Sequence, residues 1–326
     1  MMRFRRKTRD CLNCGLTLDE IYNYCPRCGQ ENNHRMVSFG ELVKDFFVNY
    51  FSFDTKFVRS IKPFLIQPGE LTKLFIAGKR ASYVNPLRLY IIISVIFFFL
   101  STLYIKESVT FVGASNGDEV EMELSDAIKE EGGGDTTRAS LLAFQTIKEV
   151  LEDESLTNQQ AMDSLSNMGG IKIDSTFMGN IFFSQMRKVA RQDLEIFLAY
   201  VMQNMPVMMF LLLPIYALLL KLLYIRRNVL YVKHLIHGVH LHAFTFFLLT
   251  LMLVLSLVFE TLPVLNEWLQ MILFLLLFVY IYASMLRVYQ QGWFKTLLKF
   301  SVLGFFYFFV LVVFGVAEAM ISFLIF

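Results

Sequence analysis

The sequence predicts an all-α integral membrane protein with about five transmembrane helices and a small cysteine-containing module near its amino-terminal end. Two observations predict this fold class. Of the 326 residues, 56% are hydrophobic, which exceeds the apolar share of about 45–50% in ordinary soluble domains. All four cysteines lie within residues 11–28, whereas the long apolar stretches begin at Leu87. The module and the membrane region are therefore separate parts of the chain.

The cysteines form two Cys-x-x-Cys turns separated by ten residues, Cys11 with Cys14 and Cys25 with Cys28. This spacing is typical of a zinc ribbon, in which four thiolates bind one structural Zn²⁺. The alternatives are two redox-active dithiols or a pair of disulfides, but a redox Cys-x-x-Cys motif normally begins a helix in a βαβ context. Because a four-thiolate site leaves no position open for substrate, we expect a structural or docking role for residues 1–35.

Residues 36–86 carry apolar side chains at helical spacing, with Lys56, Arg59 and Lys62 between them. One interpretation is an amphipathic segment on the membrane surface, with its bases facing the anionic headgroups of the bilayer. The other is a segment that packs against the transmembrane helices. The spacing alone fits both.

Five apolar stretches are long enough to cross about 30 Å of hydrocarbon at about 1.5 Å per residue. The first, residues 87–105, is followed by an acidic loop, residues 106–195, and then by a four-helix region, residues 196–326. The stretches lie at roughly 87–105, 203–224, 243–262, 268–287 and 298–322.

The distribution of charge predicts the orientation in the membrane. Residues 1–88 carry fifteen Lys and Arg against eight Asp and Glu, whereas the loop 106–195 carries seventeen acids against eight bases. Basic segments remain cytoplasmic, so we expect a cytoplasmic amino terminus and an extracytoplasmic carboxyl terminus. No apolar run precedes Leu87, which argues against a secretory signal peptide. Arg187, Lys188 and Arg191 oppose this charge pattern. In the same loop, Thr157 and Gln160 predict a capping box at a helix start.

Several motifs resemble a family of uncharacterised bacterial membrane proteins known as domain of unknown function 3667. They are Cys-x-x-Cys with Cys-Pro-x-Cys-Gly-Gln at residues 11–30, Pro68-Gly69, Gly78-Lys79-Arg80 with Tyr83-Val84-Asn85-Pro86, and the stretch YVKHLIHGVHLHAF. The resemblance extends over nearly the whole chain. It implies a bacterial inner membrane and a cytoplasmic zinc ribbon, and it implies no activity. In the last motif His237 stands where an apolar residue is usual.

Four of the five histidines, His234, His237, His240 and His242, lie within nine residues. On a helix the first three form a slowly drifting row, and neighbours three apart can share one metal ion. This predicts a possible second metal site. The alternative is hydrogen bonding and helix packing near the membrane interface.

Three hypotheses for function follow. The first is a non-enzymatic membrane protein that docks or regulates a protein partner through the ribbon and the amphipathic segment. The second is a transporter or channel that uses the five-span bundle. Pro206 and Pro214 could break the second span as in transporters, but a proline kink is common in membrane helices and no inverted repeat is visible. The third is a metal-dependent membrane enzyme that uses the histidines. Glu318 is either a functional carboxylate inside the last span or a marker of its outer end. We expect no nucleic-acid binding, because bases and aromatic residues do not interleave.

Overall fold

The computed structural model describes residues 7–33, 38, 40–43, 55–104, 146–147, 150–153, 155–169, 177–191 and 194–325. Within these ranges the regular elements are α-helices, and β structure is confined to two isolated bridges in the cysteine region. The helices are α1 (Thr55–Leu65), α2 (Glu70–Ile76), α3 (Pro86–Tyr104), α4 (Asn158–Gly169), α5 (Phe177–Arg191), α6 (Leu194–Leu223), α7 (Tyr231–Val258), α8 (Pro263–Tyr289) and α9 (Trp293–Ile325).

In the described part of the chain, five helices are long and apolar enough to cross a membrane, namely α3 and α6 to α9. The chain is therefore a multi-pass membrane protein, as its composition predicts. The largest difference in boundaries concerns α7, which begins at Tyr231, whereas the predicted span begins at 243. The four histidines therefore lie within this helix, ahead of the predicted span, and all four are buried.

The chain forms two compact units. The first comprises Met1–Leu100 and Pro206–Val313, and the second comprises Ser101–Met205 and Phe314–Phe326. In the first unit, α7 packs against α8, α2 and α1. In the second unit, α4 packs against α5.

Aromatic rings join α1 to α7 and α8. Phe244 of α7 stacks on Tyr280 of α8 with ring centroids 3.4 Å apart, and it meets the edge of Phe64 at 5.9 Å. The Tyr280 hydroxyl donates to the backbone oxygen of Phe64. On the same short helix Val58 and Ile61 remain 70% and 41% exposed. α1 therefore has one face against the bundle, which supports the packing interpretation of this segment, while Val58 and Ile61 stay exposed beside Arg59 and Lys62. The membrane-surface interpretation stays a prediction.

The second unit is organised around the buried side chain of Arg187, which is 2% exposed. Its guanidinium donates to the backbone oxygens of Leu151, Asp153 and Leu156 at 3.3, 2.5 and 3.0 Å. It also donates to the side chain of Asn158 at 2.8 Å. A buried cation needs such acceptors. Arg187 therefore has a structural role in this unit, whatever its contribution to the charge pattern of the loop.

The predicted capping box is confirmed at the start of α4. The backbone N–H of Thr157 donates to the side-chain oxygen of Gln160 at 2.9 Å, and the backbone N–H of Gln160 donates to the Thr157 hydroxyl at 3.3 Å. These reciprocal bonds satisfy two donors that a helix start leaves unpaired.

Candidate metal centre and histidine helix

The four cysteine thiols converge, so they can bind a metal ion. The Sγ atoms of Cys11 and Cys28 are 3.6 Å apart, as are those of Cys14 and Cys25. All four Sγ atoms lie within 4.8 Å of one another. In a tetrahedral zinc site with Zn–S bonds of about 2.3 Å, the sulfurs are about 3.8 Å apart. The donor atoms therefore have the spacing that a four-thiolate site requires.

Two equivalent backbone turns hold these thiols in place, and we call residues 9–32 the cysteine module. In the first turn Cys11 N–H donates to Leu16 O at 2.8 Å, and Gly15 N–H donates to Cys11 O at 2.9 Å. The same pair of bonds, at 2.8 and 2.9 Å, starts at Cys25. Gly15 and Gly29 have φ of 76° and 72°, a conformation that favours glycine. The local sequence therefore determines where each pair of thiols points.

The two turns give their first cysteines different acidities. Burial raises the pKa of Cys11 to about 12. At Cys25 burial also acts to raise the pKa, but hydrogen bonds from the backbone N–H groups of Cys28 and Arg27 outweigh it and lower the pKa to about 7. Since a metal ion binds thiolates, its binding to this set releases protons.

The module is fixed to the loop 78–82, which precedes the first span. The Gln30 side chain donates from Nε2 to Gly78 O at 2.8 Å. Its Oε1 accepts the backbone N–H groups of Arg80 and Ala81, each at 3.1 Å. Gln30 comes directly after the second cysteine turn in the sequence. This one residue therefore joins the folded turn to the loop 78–82.

The first cysteine turn contacts the same loop. Asn13, between the two cysteines of that turn, accepts the backbone N–H of Ser82 at 3.2 Å. Leu12 packs so closely on Gly78 that a Cβ added to this glycine would lie 2.9 Å from the Leu12 side chain. Gly78 also has a φ of 96°. A residue with a side chain would fit poorly there for both reasons.

The segment between the two turns exposes apolar and aromatic side chains. Ile21 is 77% exposed, and Tyr22 and Tyr24 are 38% and 58% exposed. The module therefore has an attached side and an exposed apolar side.

The first two histidines of α7 bond to α8. His234 Nδ1 lies 2.8 Å from the hydroxyl of Tyr289, and His237 Nε2 lies 2.9 Å from the hydroxyl of Ser284. Both rings are fully buried. Their spacing of three places them on one side of α7, as the helical row predicts, but their partners are hydroxyl groups of the neighbouring helix.

The other two histidines have different partners. His240 Nδ1 lies 2.9 Å from the hydroxyl of Thr72, on the short helix α2. His242 donates from Nδ1 to Gly238 O at 2.8 Å, which leaves Nε2 to accept from the Tyr307 hydroxyl at 2.6 Å. Both ring nitrogens of His242 are therefore occupied.

The histidines do not converge as the cysteines do. In the described ranges, the four cysteines are the group of three or more His, Cys, Asp or Glu side chains that is placed to hold a metal ion, and the histidines do not form such a group. Each histidine ring instead forms a hydrogen bond that packs α7 against another element or stabilises α7 itself. The second metal site stays a prediction, and the geometry gives more support to the packing alternative.

Glu318 lies within the last turns of α9, in the second unit, and its side chain is 8% exposed. Its Oε1 accepts the hydroxyl of Ser322 at 2.6 Å, and that hydroxyl in turn accepts from the Asn204 side chain at 3.1 Å. The carboxyl group is therefore part of a small polar network between α6 and α9 within this unit. Neither Ser322 nor Asn204 stands out in the sequence.

The family model described as "Protein of unknown function (DUF3667)" matches residues 54–98. This match covers α1, α2 and much of α3, together with the loop that holds the cysteine module. It supports an uncharacterised domain family and gives no activity. Neither a curated protein nor a solved structure matches the chain.

Sequence reasoning missed the residues that attach these sites to their surroundings. Asn13, Thr72 and Ser284 have no local signal, because each bonds to a residue far away in the sequence. Gln30 and Gly78 do have a local signal in the sequence, since both belong to motifs that carry the family resemblance. Their contact with each other was not anticipated.

Proposed function

We propose that the chain is a membrane-embedded docking or regulatory protein whose cysteine module holds a partner protein at the membrane surface. The observation that carries this proposal is the two-sided module. One side is fixed to the loop before the first span, and the other exposes Ile21, Tyr22 and Tyr24. Aromatic and apolar side chains of this kind are enriched where proteins associate.

The metal proposed for the module is one structural Zn²⁺. Four thiolates at tetrahedral spacing suit zinc, which has no geometric preference of its own and needs no further ligand. The module has a very small core, formed by Leu18 and two of the cysteines with partly buried neighbours. A core of this size needs a metal ion or a covalent crosslink for stability.

The proposed location is a bacterial inner membrane, with the amino terminus in the cytoplasm and the carboxyl terminus outside. The charge asymmetry of the loops supports this orientation, and the four unpaired cysteines suit a reducing compartment. The exposed face of α1, with Val58 and Ile61 beside Lys62, suits contact with apolar and anionic parts of the inner leaflet.

Cysteine labelling tests the orientation. A cysteine introduced at Ser155 should react with an impermeant maleimide added outside intact cells. One introduced at the exposed Gly292, between α8 and α9, should react only after the membrane is opened. The unaltered chain provides the background signal. Reversed labelling at these two positions would overturn the proposed orientation.

Photo-crosslinking in cells tests the docking role. A photoreactive side chain at Ile21 should give a discrete adduct with one protein, and the same group at the exposed Arg27 should not. The adduct from Ile21 should disappear when Cys25→Ser removes a metal ligand. Adducts that contain only lipid, or that form equally from Arg27, would contradict a protein-docking role.

The transporter and metalloenzyme alternatives stay predictions from the sequence. Flux through reconstituted vesicles would support the first, and a second metal ion bound by the histidines would support the second.

A further inference from the structure

A cavity of about 320 Å³ opens in the first unit where α2, α7 and α8 meet. Its volume falls at the small end of the range of about 300–1,000 Å³ that is typical of small-molecule sites. The lining combines residues near the ends of α2 and α8 with residues around the start of α7, among them Val229, Tyr289 and Gln290. It is therefore formed by helix ends, at the basic connection that the charge pattern places on the cytoplasmic side.

Three cations from separate elements line this cavity: Lys73 of α2, Arg227 of the turn before α7, and Lys233 of α7. No acidic side chain in the described part of the chain lines it. Like charges brought together around a cavity repel one another unless an anion compensates them. The cavity therefore has the charge of an anion site.

The contacts that these cations already make compensate only part of their positive charge. Arg227 donates one N–H to Tyr289 O at 2.7 Å, at the carboxyl end of α8, but a guanidinium has five N–H donors. Lys73 lies 3.9 Å from Glu70, and both side chains are partly exposed. A surface pair at this distance contributes little. Neither contact uses up the capacity of its cation.

The third cation lies where a helix already favours an anion. Lys233 is in the first turn of α7, whose amino-terminal end carries a partial positive charge. Leu230 precedes this turn and provides no side-chain cap. A lysine in the last turn of a helix compensates the partial negative charge at the carboxyl-terminal end of that helix. Lys233 is in the first turn of α7 and cannot do this.

We propose that this cavity binds a phosphate group, with Lys73, Arg227 and Lys233 as its positively charged ligands. Phosphate is the anion that combines bidentate arginine contacts, point-charge contacts from lysine and a helix amino terminus. The phosphate is either that of an anionic lipid headgroup or that of a small soluble molecule. The two sources share the same three ligands, so binding measurements distinguish them.

The test uses the purified full-length chain in a neutral detergent. Short-chain phosphatidylglycerol and inorganic pyrophosphate are titrated separately, and the equilibrium Kd and the thermal midpoint are measured. Lys233→Gln and Arg227→Gln should each weaken binding about tenfold, as loss of a charge-assisted hydrogen bond does. Arg226→Gln is the matched control, because Arg226 neighbours Arg227 but does not line the cavity. It should bind like the parent.

Lys73→Gln is the second variant if Arg227→Gln, which also loses its bond to Tyr289, fails to fold. Tighter binding of phosphatidylglycerol identifies a lipid headgroup, and tighter binding of pyrophosphate identifies a soluble phosphate; either result supports the site. The proposal is overturned if neither probe binds. It is also overturned if Lys233→Gln binds like the parent, or if Arg226→Gln weakens binding as much as Lys233→Gln.

Discussion

The cysteine cluster and the histidine cluster look alike in the sequence, because each places four potential metal ligands in a short stretch. In the structure the two clusters are arranged differently. Two chain reversals bring the cysteine sulfurs together, whereas the histidines stand along one helix and bond to different neighbours. One helix can offer two neighbouring ligands to an ion, but a set of four converges when the backbone turns back on itself or when several elements contribute. Density of ligands in the sequence is therefore a weaker signal than their spacing around turns.

The largest effect is expected when one of the four cysteines is removed. Cys25→Ser in the full chain should abolish metal binding and unfold the module, because structural zinc supplies about 10–16 kcal/mol in small zinc modules. Metal content by mass spectrometry and hydrogen exchange of residues 7–33 would measure both effects. A variant that keeps its metal and its protection would show that the four thiols are not a metal site.

A second test removes the histidines. His237→Ala with His240→Ala should leave the metal content at about one ion per chain. It should also lower the stability by on the order of 2–5 kcal/mol, because buried hydrogen bonds are lost and cavities remain. The thermal midpoint in detergent and the metal content are measured on the same sample.

The parent chain provides the control for that test. About two ions per chain in the parent, with one lost in the double variant, would make the two clusters equivalent and would favour the metalloenzyme hypothesis.

A smaller effect is expected when the module is detached without loss of its metal. Gln30→Ala removes three hydrogen bonds to the loop 78–82, at about 1 kcal/mol each. Hydrogen exchange should increase in this loop, while the metal content stays unchanged. Arg27→Ala, an exposed position on the same module, should leave the loop protected. Equal protection of the loop in both variants would contradict the attachment.

The smallest expected effect concerns the contact between α2 and the histidine helix. Thr72→Val leaves the Nδ1 atom of His240 without its partner and should destabilise the chain by about 1 kcal/mol. Thr72→Ser keeps the hydroxyl and should retain more of the stability. The thermal midpoints of the two variants decide between them. No difference would mean that His240 gains nothing from this bond.

The sequence predicts the parts of this molecule that depend on near neighbours. The cysteine turns, the capping box of Thr157 and the five apolar helices all follow from spacing or composition within short windows. The partners of Gln30, His237 and His240 lie in distant segments, and no local pattern reveals them. The burial of the histidine rings of α7 depends on the same kind of distant contact.

The attachment of Gln30 to the loop before the first span also bears on the order of events during synthesis. Both cysteine turns are complete once residue 32 has emerged, and the loop residues that Gln30 contacts follow 48 to 51 residues after Gln30 itself. The bond between Thr72 and His240 spans 168 residues, so it forms only after α7 has been made. Since amino-terminal regions fold first on the ribosome, we expect the cysteine module to fold before the first hydrophobic helix leaves the ribosome, if a metal ion binds to it. The supply of metal at that early moment would then decide whether the helix enters the bilayer with a folded anchor at its amino-terminal side.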